Sequence, residues 1–406
     1  MLVMKKIIPI LFLLLLLGCS EDRRVSETPE PSANLPTISI TTENLSPIVS
    51  KEDYLNGSLE ISGESIDNNL LVDLKIRGRG NTTWNFPKKP YQIKFDSKES
   101  VLGMPEDKKW ILLANYTDKT MLRNEVAFDL SRFSDLDWTP ESRFVELFIN
   151  SEYLGVYQIT QKVEESSNRV NIGDDGYLLE VDQLSRLDVD DVYFETSHYL
   201  FNIKEPSLNA EDNAYNIIKN YIELTESVLL GDNFSDPING YAKYIDVDSF
   251  IDWYLVNEIT KNNDAIFYSS VYMNYIPGGK LKMGPIWDYD ISLGNINYNG
   301  NDTTDGFWIK NATWYSRLFE DPIFVEKVKS RFNYFYNNRS LFQEKINSNS
   351  SFLYEAQERN FNTWPILGVY VWPNNVFYPT YDEEVTYLDQ WLNDRLEWLN
   401  TSFNNL

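Results

Sequence analysis

The chain has 406 residues, 42% of them hydrophobic and 15% aromatic, and its 61 acidic against 36 basic side chains give a formal charge of −25. Such a composition belongs to a folded chain with a large core, and length alone allows one to three domains. The negative field repels nucleic acid and anionic membranes wherever no local basic patch intervenes, so no nucleic-acid partner is expected. The one histidine, His198, follows a polar run and reads as a surface residue, which argues against a Ser-His-Asp triad and excludes a multi-histidine zinc site. Cys19 is the one cysteine, so the folded part has neither an intrachain disulfide nor a thiolate nucleophile. Carboxylate, lysine and metal chemistry remain.

Residues 1–18 read as a lipoprotein signal peptide: Lys5 and Lys6, an apolar run over 7–17, then Gly18 before Cys19. The run is too short for a comfortable membrane span. Leu16, Leu17, Gly18 and Cys19 resemble the lipobox of bacterial lipoproteins. That resemblance implies cleavage before Cys19, lipidation of its thiol and an anchor in the outer membrane or at the cell surface of a Gram-negative bacterium, with the periplasmic face as the other orientation. The acidic Glu21 and Asp22 resemble a surface-export signal of some such lipoproteins. Residues 19–36, with Pro29, Pro31 and Pro36, read as a flexible tether.

Residues 37–42, 59–61 and 70–76 predict strands, with turns at 56–57 and 67–69. The stretch 75–95 then predicts two strands around a loop holding Arg77, Gly78, Arg79, Gly80, Asn81, Thr82 and Thr83. Glycines let backbone N–H groups approach an anion, and hydroxyls and guanidinium groups add donors. A tight β-turn with exposed charges has the same appearance. On the returning strand Tyr91, Ile93 and Phe95 share one face, leaving Gln92 and Lys94 on the other, where a lysine reaches phosphate oxygens; Lys88 and Lys89 flank the loop.

Residues 121–132 place Leu122, Val126 and Leu130 at four-residue spacing and predict a helix carrying Glu125. Paired strands follow at 143–149 and 153–161, with Glu164 just beyond, then strands at 177–181, 192–195 and 199–203, the last leading to Lys204. Ala214, Ile217, Ile218, Tyr221, Leu224 and Val228 form a helical packing stripe. A helix through Val247, Phe250, Ile251, Tyr254 and Leu255 leads to Asn262, Asn263 and Asp264. Strand-like runs at 266–275 and 280–286 enclose Pro277, Gly278 and Gly279, and the second ends in Trp287, Asp288, Tyr289 and Asp290. In extended chain Asp288 and Asp290 face the same way, about 7 Å apart. Two such carboxylates either end a solvated hairpin or need a cation beside them, and Mg²⁺ or Mn²⁺ is one that suits. The polar loop after Asn295 carries Phe307, Trp308 and Trp314 and either recruits a substrate or covers the mouth of a cleft. Helices are predicted at 316–338, 341–357 and 382–403. Among the tryptophans, Trp308, Trp314, Trp364 and Trp372 are candidates for stacking on sugars wherever they are exposed.

Taken in order, RGRGNTTW and KKPYQIKF, LLANYTDKTMLRNEVAFDLSR, YLGVYQITQKVE, RVNI and GPIWDYDISLGN resemble the CotH family of atypical protein kinases, over about residues 37–400. The resemblance implies an α+β chain with a divergent two-lobed protein-kinase fold at 37–403: a β-rich N-terminal lobe over about 37–206 and a mainly helical C-terminal lobe over about 207–403. Kinase order then implies roles. Arg79, Gly80, Asn81 and Thr82 would cover ATP, Lys94 would hold phosphate with Glu125 as its partner and Glu164 as the rival, and Lys204 would be a second phosphate contact. Asp264 would be the catalytic carboxylate, with Asp288 binding metal and Asp290 assisting. No His-Arg precedes Asp264, Ser269 stands where kinases carry asparagine, and Asp288, Tyr289 and Asp290 replace Asp-Phe-Gly, which leaves Asn263, Ser269 and Asp290 all open as the second metal ligand. The implied activity is transfer of phosphate from Mg-ATP to serine or threonine hydroxyls of exported proteins. The alternative is a kinase scaffold without turnover that binds glycan or protein. A glycosidase fits less well, because Asp288 and Asp290 lie side by side rather than across a sugar.

Overall fold

The computed structural model of the chain describes residues 35–63 and 70–406. The leader, Cys19, the tether up to residue 34 and the turn at 67–69 lie outside these residues. Seven strands form the first body: β1 (Thr37–Thr42), β2 (Leu55–Ser62), β3 (Leu71–Gly78), β4 (Tyr91–Glu99), β5 (Asp107–Leu113), β6 (Ser142–Ile149) and β7 (Glu152–Gln161). Alternating apolar residues such as Ile38 and Ile40, Leu59 and Ile61, and Ile93 and Phe95 turn to one shared interior. Around that interior the order is β1-β2-β3-β4-β5-β7-β6, a closed barrel. Parallel pairing of β1 with β6, Thr37 opposite Glu146 and Ile40 opposite Ile149, closes it and removes both sheet edges.

The second sheet has the order β12-β11-β8-β10-β9, from β8 (Tyr177–Val181), β9 (Tyr193–Glu195), β10 (Leu200–Glu205), β11 (Val271–Tyr275) and β12 (Lys282–Met283). Seven α-helices accompany it among the described residues: α1 (Arg123–Arg132), α2 (Asn213–Leu230), α3 (Val247–Thr260), α4 (Thr313–Leu318), α5 (Pro322–Asn337), α6 (Arg339–Thr363) and α7 (Tyr381–Asn404). The α+β class holds, but the two-lobed protein-kinase arrangement does not. The N-terminal strands close on themselves as a barrel. The second sheet joins strands from both sides of the expected lobe border, with Val271 opposite Val181 and Tyr275 opposite Tyr177. Both pairings span about a hundred residues, a separation at which apolar alternation carries no information about neighbours.

Local differences have local causes. The expected turn at Asn56 and Gly57 lies inside β2, where a Cβ on Gly57 would sit 2.5 Å from the Thr41 carbonyl oxygen. The helix expected over 316–338 breaks in two at Pro322, because Asp321 caps the second piece by accepting from the Ile323 N–H at 2.9 Å.

Lys88, expected beside the loop, is instead buried between the barrel and α6. It donates to the Val156 carbonyl and to Asn360 Oδ1 (2.9 Å), and its ammonium lies 4.7 Å from the Tyr157 ring centre. Burial pushes its pKa down to about 7. The unfolded chain therefore holds the extra proton between about pH 7 and pH 10, and stability rises with pH through that window. Lys88→Met is expected to raise the melting temperature at about pH 6 and to lose the advantage toward about pH 10. Thermal melts across the series check this, and a difference that does not change with pH contradicts it.

Candidate active site

Helix α3 delivers the first carboxylate. Asp246 caps its start by accepting from the Ser249 N–H at 2.9 Å, and every residue from Phe250 to Thr260 is buried, so the core sets where the helix ends. Lys261 closes it with φ 47°, and its ammonium holds the carbonyls of Gly300, Thr303 and Asp305 at 2.7, 2.9 and 2.6 Å. The chain then turns through Asn262 and Asn263 to Asp264. Asn263 Nδ2 donates to Asp264 Oδ1 at 2.8 Å and the Ser269 hydroxyl donates to Oδ2 at 3.2 Å. The Arg186 guanidinium lies 3.9 Å from Oδ2 and donates to Ser269 Oγ at 2.6 Å. Oriented by these donors, the carboxylate retains lone pairs for an incoming hydroxyl.

Asp288 and Asp290 do not lie along one extended strand as expected. β12 ends at Met283 and Asp288 has φ 69°, a left-handed conformation that costs a non-glycine residue free energy. Tyr289 between them explains the kink: its N–H donates to Asn124 Oδ1 at 2.9 Å and its hydroxyl to Asn257 Oδ1 at 2.7 Å, drawing the ring inward. Both carboxylates still reach the field of Asp264. Desolvation first, and Asp264 next, raise the pKa of Asp288, against Arg79 and Arg186. Desolvation and then Asp288 raise that of Asp290, whose Oδ2 accepts from the Thr117 hydroxyl at 3.2 Å. Asp288 itself remains open to solvent, with protein close enough around it that desolvation still leads its shift.

No group of three or more His, Cys, Asp or Glu among the described residues is arranged to hold a metal ion, so there is no all-protein cage. Two carboxylates whose charges repel do suit Mg²⁺, which takes one or two of them and completes its shell with water and phosphate oxygens. Of the three possible second ligands, Asn263 Oδ1 accepts from Asn299 (2.9 Å) and Asn301 (3.1 Å), and Ser269 is held by Asp264 and Arg186. Asp290 has an oxygen left over.

The glycine-bearing loop meets this end of the molecule through Arg79, 5.4 Å from the Trp287 ring centre; burial lowers its pKa and Asp288 opposes that. Gly78 is required where it stands, because a Cβ would meet the Trp84 ring at 2.3 Å, and Gly80 turns the chain with φ 87°. Asn81 and Thr82 sit on the exposed tip. Lys94 lies on β4 opposite Lys75 and Lys109 and has no carboxylate within ion-pair distance among the described residues. Glu125 is not its partner: it accepts from Arg132, the Ser142 hydroxyl and Gln158 Nε2, and it lines a cavity of about 510 Å³ with Asp129 and Lys345. Glu164 is not its partner either, being paired with Lys109 (2.9 Å), Lys162 (3.4 Å) and Arg169. Lys204 pairs with Glu180 (3.5 Å) and Asp191 (3.9 Å), and Glu180 acts electrostatically on both Arg79 and Asp288. The loop arginine, Lys204 and the three aspartates thus share one neighbourhood.

Sequence reasoning overlooked Arg186, Glu180, Lys109 and Lys162. One signal was there for Arg186, the sole cation among Asp182, Asp188, Asp190 and Asp191. The others carry no local mark.

A family model described as CotH kinase protein matches residues 76–399. The chain belongs to the CotH kinase family. No curated protein matches the chain. Membership brings a kinase-like function. The stretch matched to the CotH kinase family begins inside β3 and ends inside α7, so it contains Arg79, Lys204, Asp264, Asp288 and Asp290. Of the four tryptophans considered for sugar stacking in this family member, Trp314 is buried, Trp308 and Trp364 are half-buried, and Trp372 is exposed.

Proposed function

We propose that this CotH family member is a protein kinase that transfers the γ-phosphoryl group of ATP to serine or threonine hydroxyls of exported proteins, tethered by a lipid on Cys19. The observation that carries the reading is the convergence of Asp264, Asp288 and Asp290 with Arg79 and Arg186. The acceptor hydroxyl bonds to Asp264 and passes its proton to that carboxylate as its oxygen attacks the γ-phosphorus, and the bond to the β-γ bridging oxygen breaks to release ADP. Asn263 and Ser269 hold Asp264 in the orientation this needs. Arg79 and Lys204 offer positive charge to the phosphates. Mg²⁺ or Mn²⁺, when bound to Asp288 and Asp290, supplies neutralisation of phosphate charge. Export is supported by Lys5, Lys6 and the apolar run before Cys19, and no helix among the described residues is long and apolar enough to cross a membrane.

Mg²⁺ with ATP is expected to raise the melting temperature of the leaderless protein. The pH dependence has a definite sign. Asp288 and Asp290 have folded pKa values raised above those of the unfolded chain, so their stabilising contribution is present at acid pH and is lost as pH rises through the raised values. A divalent cation binds the ionised forms, so its stabilisation grows over the same rise. Thermal shift from about pH 5 to pH 8 reads this. A nucleotide effect absent at every pH contradicts the kinase reading and favours a binding scaffold.

A further inference from the structure

The surface beside Asp264 is aromatic. Tyr298 and Trp372 stack at 6.1 Å with planes 12° apart, and Tyr370 and Phe377 meet edge-on at 6.0 Å. Trp372, Tyr370 and Phe377 are 46%, 48% and 44% exposed, far more than packing rings need. Hydrogen bonds join this ridge to the acid. Asn263, which donates to Asp264, accepts from Asn299 at 2.9 Å, and Asn297 donates to the Tyr370 hydroxyl at 3.0 Å. From below, Asn374 donates to the Thr117 carbonyl at 2.7 Å and to Asn295 Oδ1 at 2.8 Å, while the Thr117 hydroxyl bonds Asp290. The ridge is therefore anchored to the same residues that position the carboxylates.

Building on the kinase reading above, we propose that this ridge is the acceptor platform, and that it binds an extended, proline-containing, neutral or basic peptide segment whose serine or threonine lies over Asp264. Exposed aromatic faces beside an unused donor are how proline-rich segments are recognised, because such segments are already extended and lose little entropy on docking. The Trp372 indole N–H, without a partner among the described residues, is that donor. A sugar needs amide and hydroxyl donors around its ring, and here the Asn297 and Asn299 amide nitrogens and both ends of the Asn374 amide are already engaged within the protein. Charge selects further. The chain charge of −25 repels an acidic segment as it approaches.

The test is fluorescence anisotropy of a labelled peptide carrying one serine between prolines and two flanking lysines. It is run with the leaderless protein, Trp372→Ala and Phe377→Ala, and repeated with the prolines replaced by alanine, the lysines by glutamate, and with chito- and cello-oligosaccharides as competitors. Trp372→Ala, proline removal and charge reversal are each expected to weaken binding about tenfold or more. In ³²P transfer, Trp372→Ala is expected to raise the peptide KM by a similar factor while kcat and the KM for ATP stay unchanged. No peptide binding, binding indifferent to proline or Trp372, or displacement by the oligosaccharides overturns the platform. Proline- and Trp372-dependent binding without label transfer to any acceptor supports the platform and overturns the kinase reading. Transfer to peptides irrespective of proline and Trp372 does the reverse.

Discussion

Asp264→Asn is expected to lower label transfer from γ-³²P-ATP by about 10²- to 10⁴-fold, the range for losing a positioned proton acceptor. The substitution keeps the side-chain shape: an amide oxygen in the place of Oδ1 still accepts from Asn263 at 2.8 Å, and the NH2 in the place of Oδ2 donates to the Ser269 hydroxyl at 3.2 Å, so the fold is retained. What disappears is the negative charge that receives the hydroxyl proton. Asp264 does not hold the cation in this scheme, so the Mg-ATP thermal shift is expected to survive in Asp264→Asn. Asp288→Asn is expected to lose both transfer and the magnesium-dependent shift, because it removes the carboxylate whose charge bears on Asp290 and which would share the cation with it. The two variants are compared with the parent protein by scintillation counting and differential scanning fluorimetry. Equal labelling by all three proteins removes both assigned roles.

The second large effect concerns an ion pair below the site. Arg395 of α7 and Glu258 of α3 are both fully buried with 2.7 Å between charged atoms. Arg395 also donates to the Glu258 carbonyl at 2.9 Å and to those of Thr304 and Gly306, both at 2.8 Å. Glu258 in turn accepts the N–H groups of Trp308 and Lys310 at 2.7 and 3.0 Å. Arg395→Met leaves a buried carboxylate without its counter-charge and the Thr304 and Gly306 carbonyls without this donor, and is expected to cost about 3–5 kcal/mol in urea unfolding. Combining it with Glu258→Gln is expected to recover part of the loss, since the stranded charge is then gone. Trp308 Nε1 donates to the Asn263 carbonyl at 3.0 Å, so the loosened loop also disturbs the residue that orients Asp264. Transfer by the folded fraction of Arg395→Met should therefore fall as well. A loss below about 1 kcal/mol, the scale of an exposed pair, contradicts this account.

Much of the local architecture was legible along the chain. β1, β3, β4, β6, β7, β8 and helices α2, α3 and α7 lie where apolar spacing of two or of three and four residues put them, since those periods reflect which face of each element is buried. Misplaced elements share a cause. Asp288 and Asp290 leave the extended course because Tyr289 between them is drawn to Asn124 and Asn257, and Gly57 continues a strand because a neighbouring carbonyl needs its empty side. Neither partner is near in sequence.

By itself the sequence determined the family, the apolar faces, and the three aspartates as the acids to examine, because hydrophobic period and motif order are properties of short stretches. Only the tertiary structure decided that the front strands close into a barrel, that Glu125 serves Arg132 and Ser142 instead of Lys94, and that Arg186 stands beside Asp264. The physical reason is range: Coulomb attraction and β pairing depend on distance in space, and in a chain of this length the partner of a charge or a strand edge is chosen by packing among residues tens to hundreds of positions away.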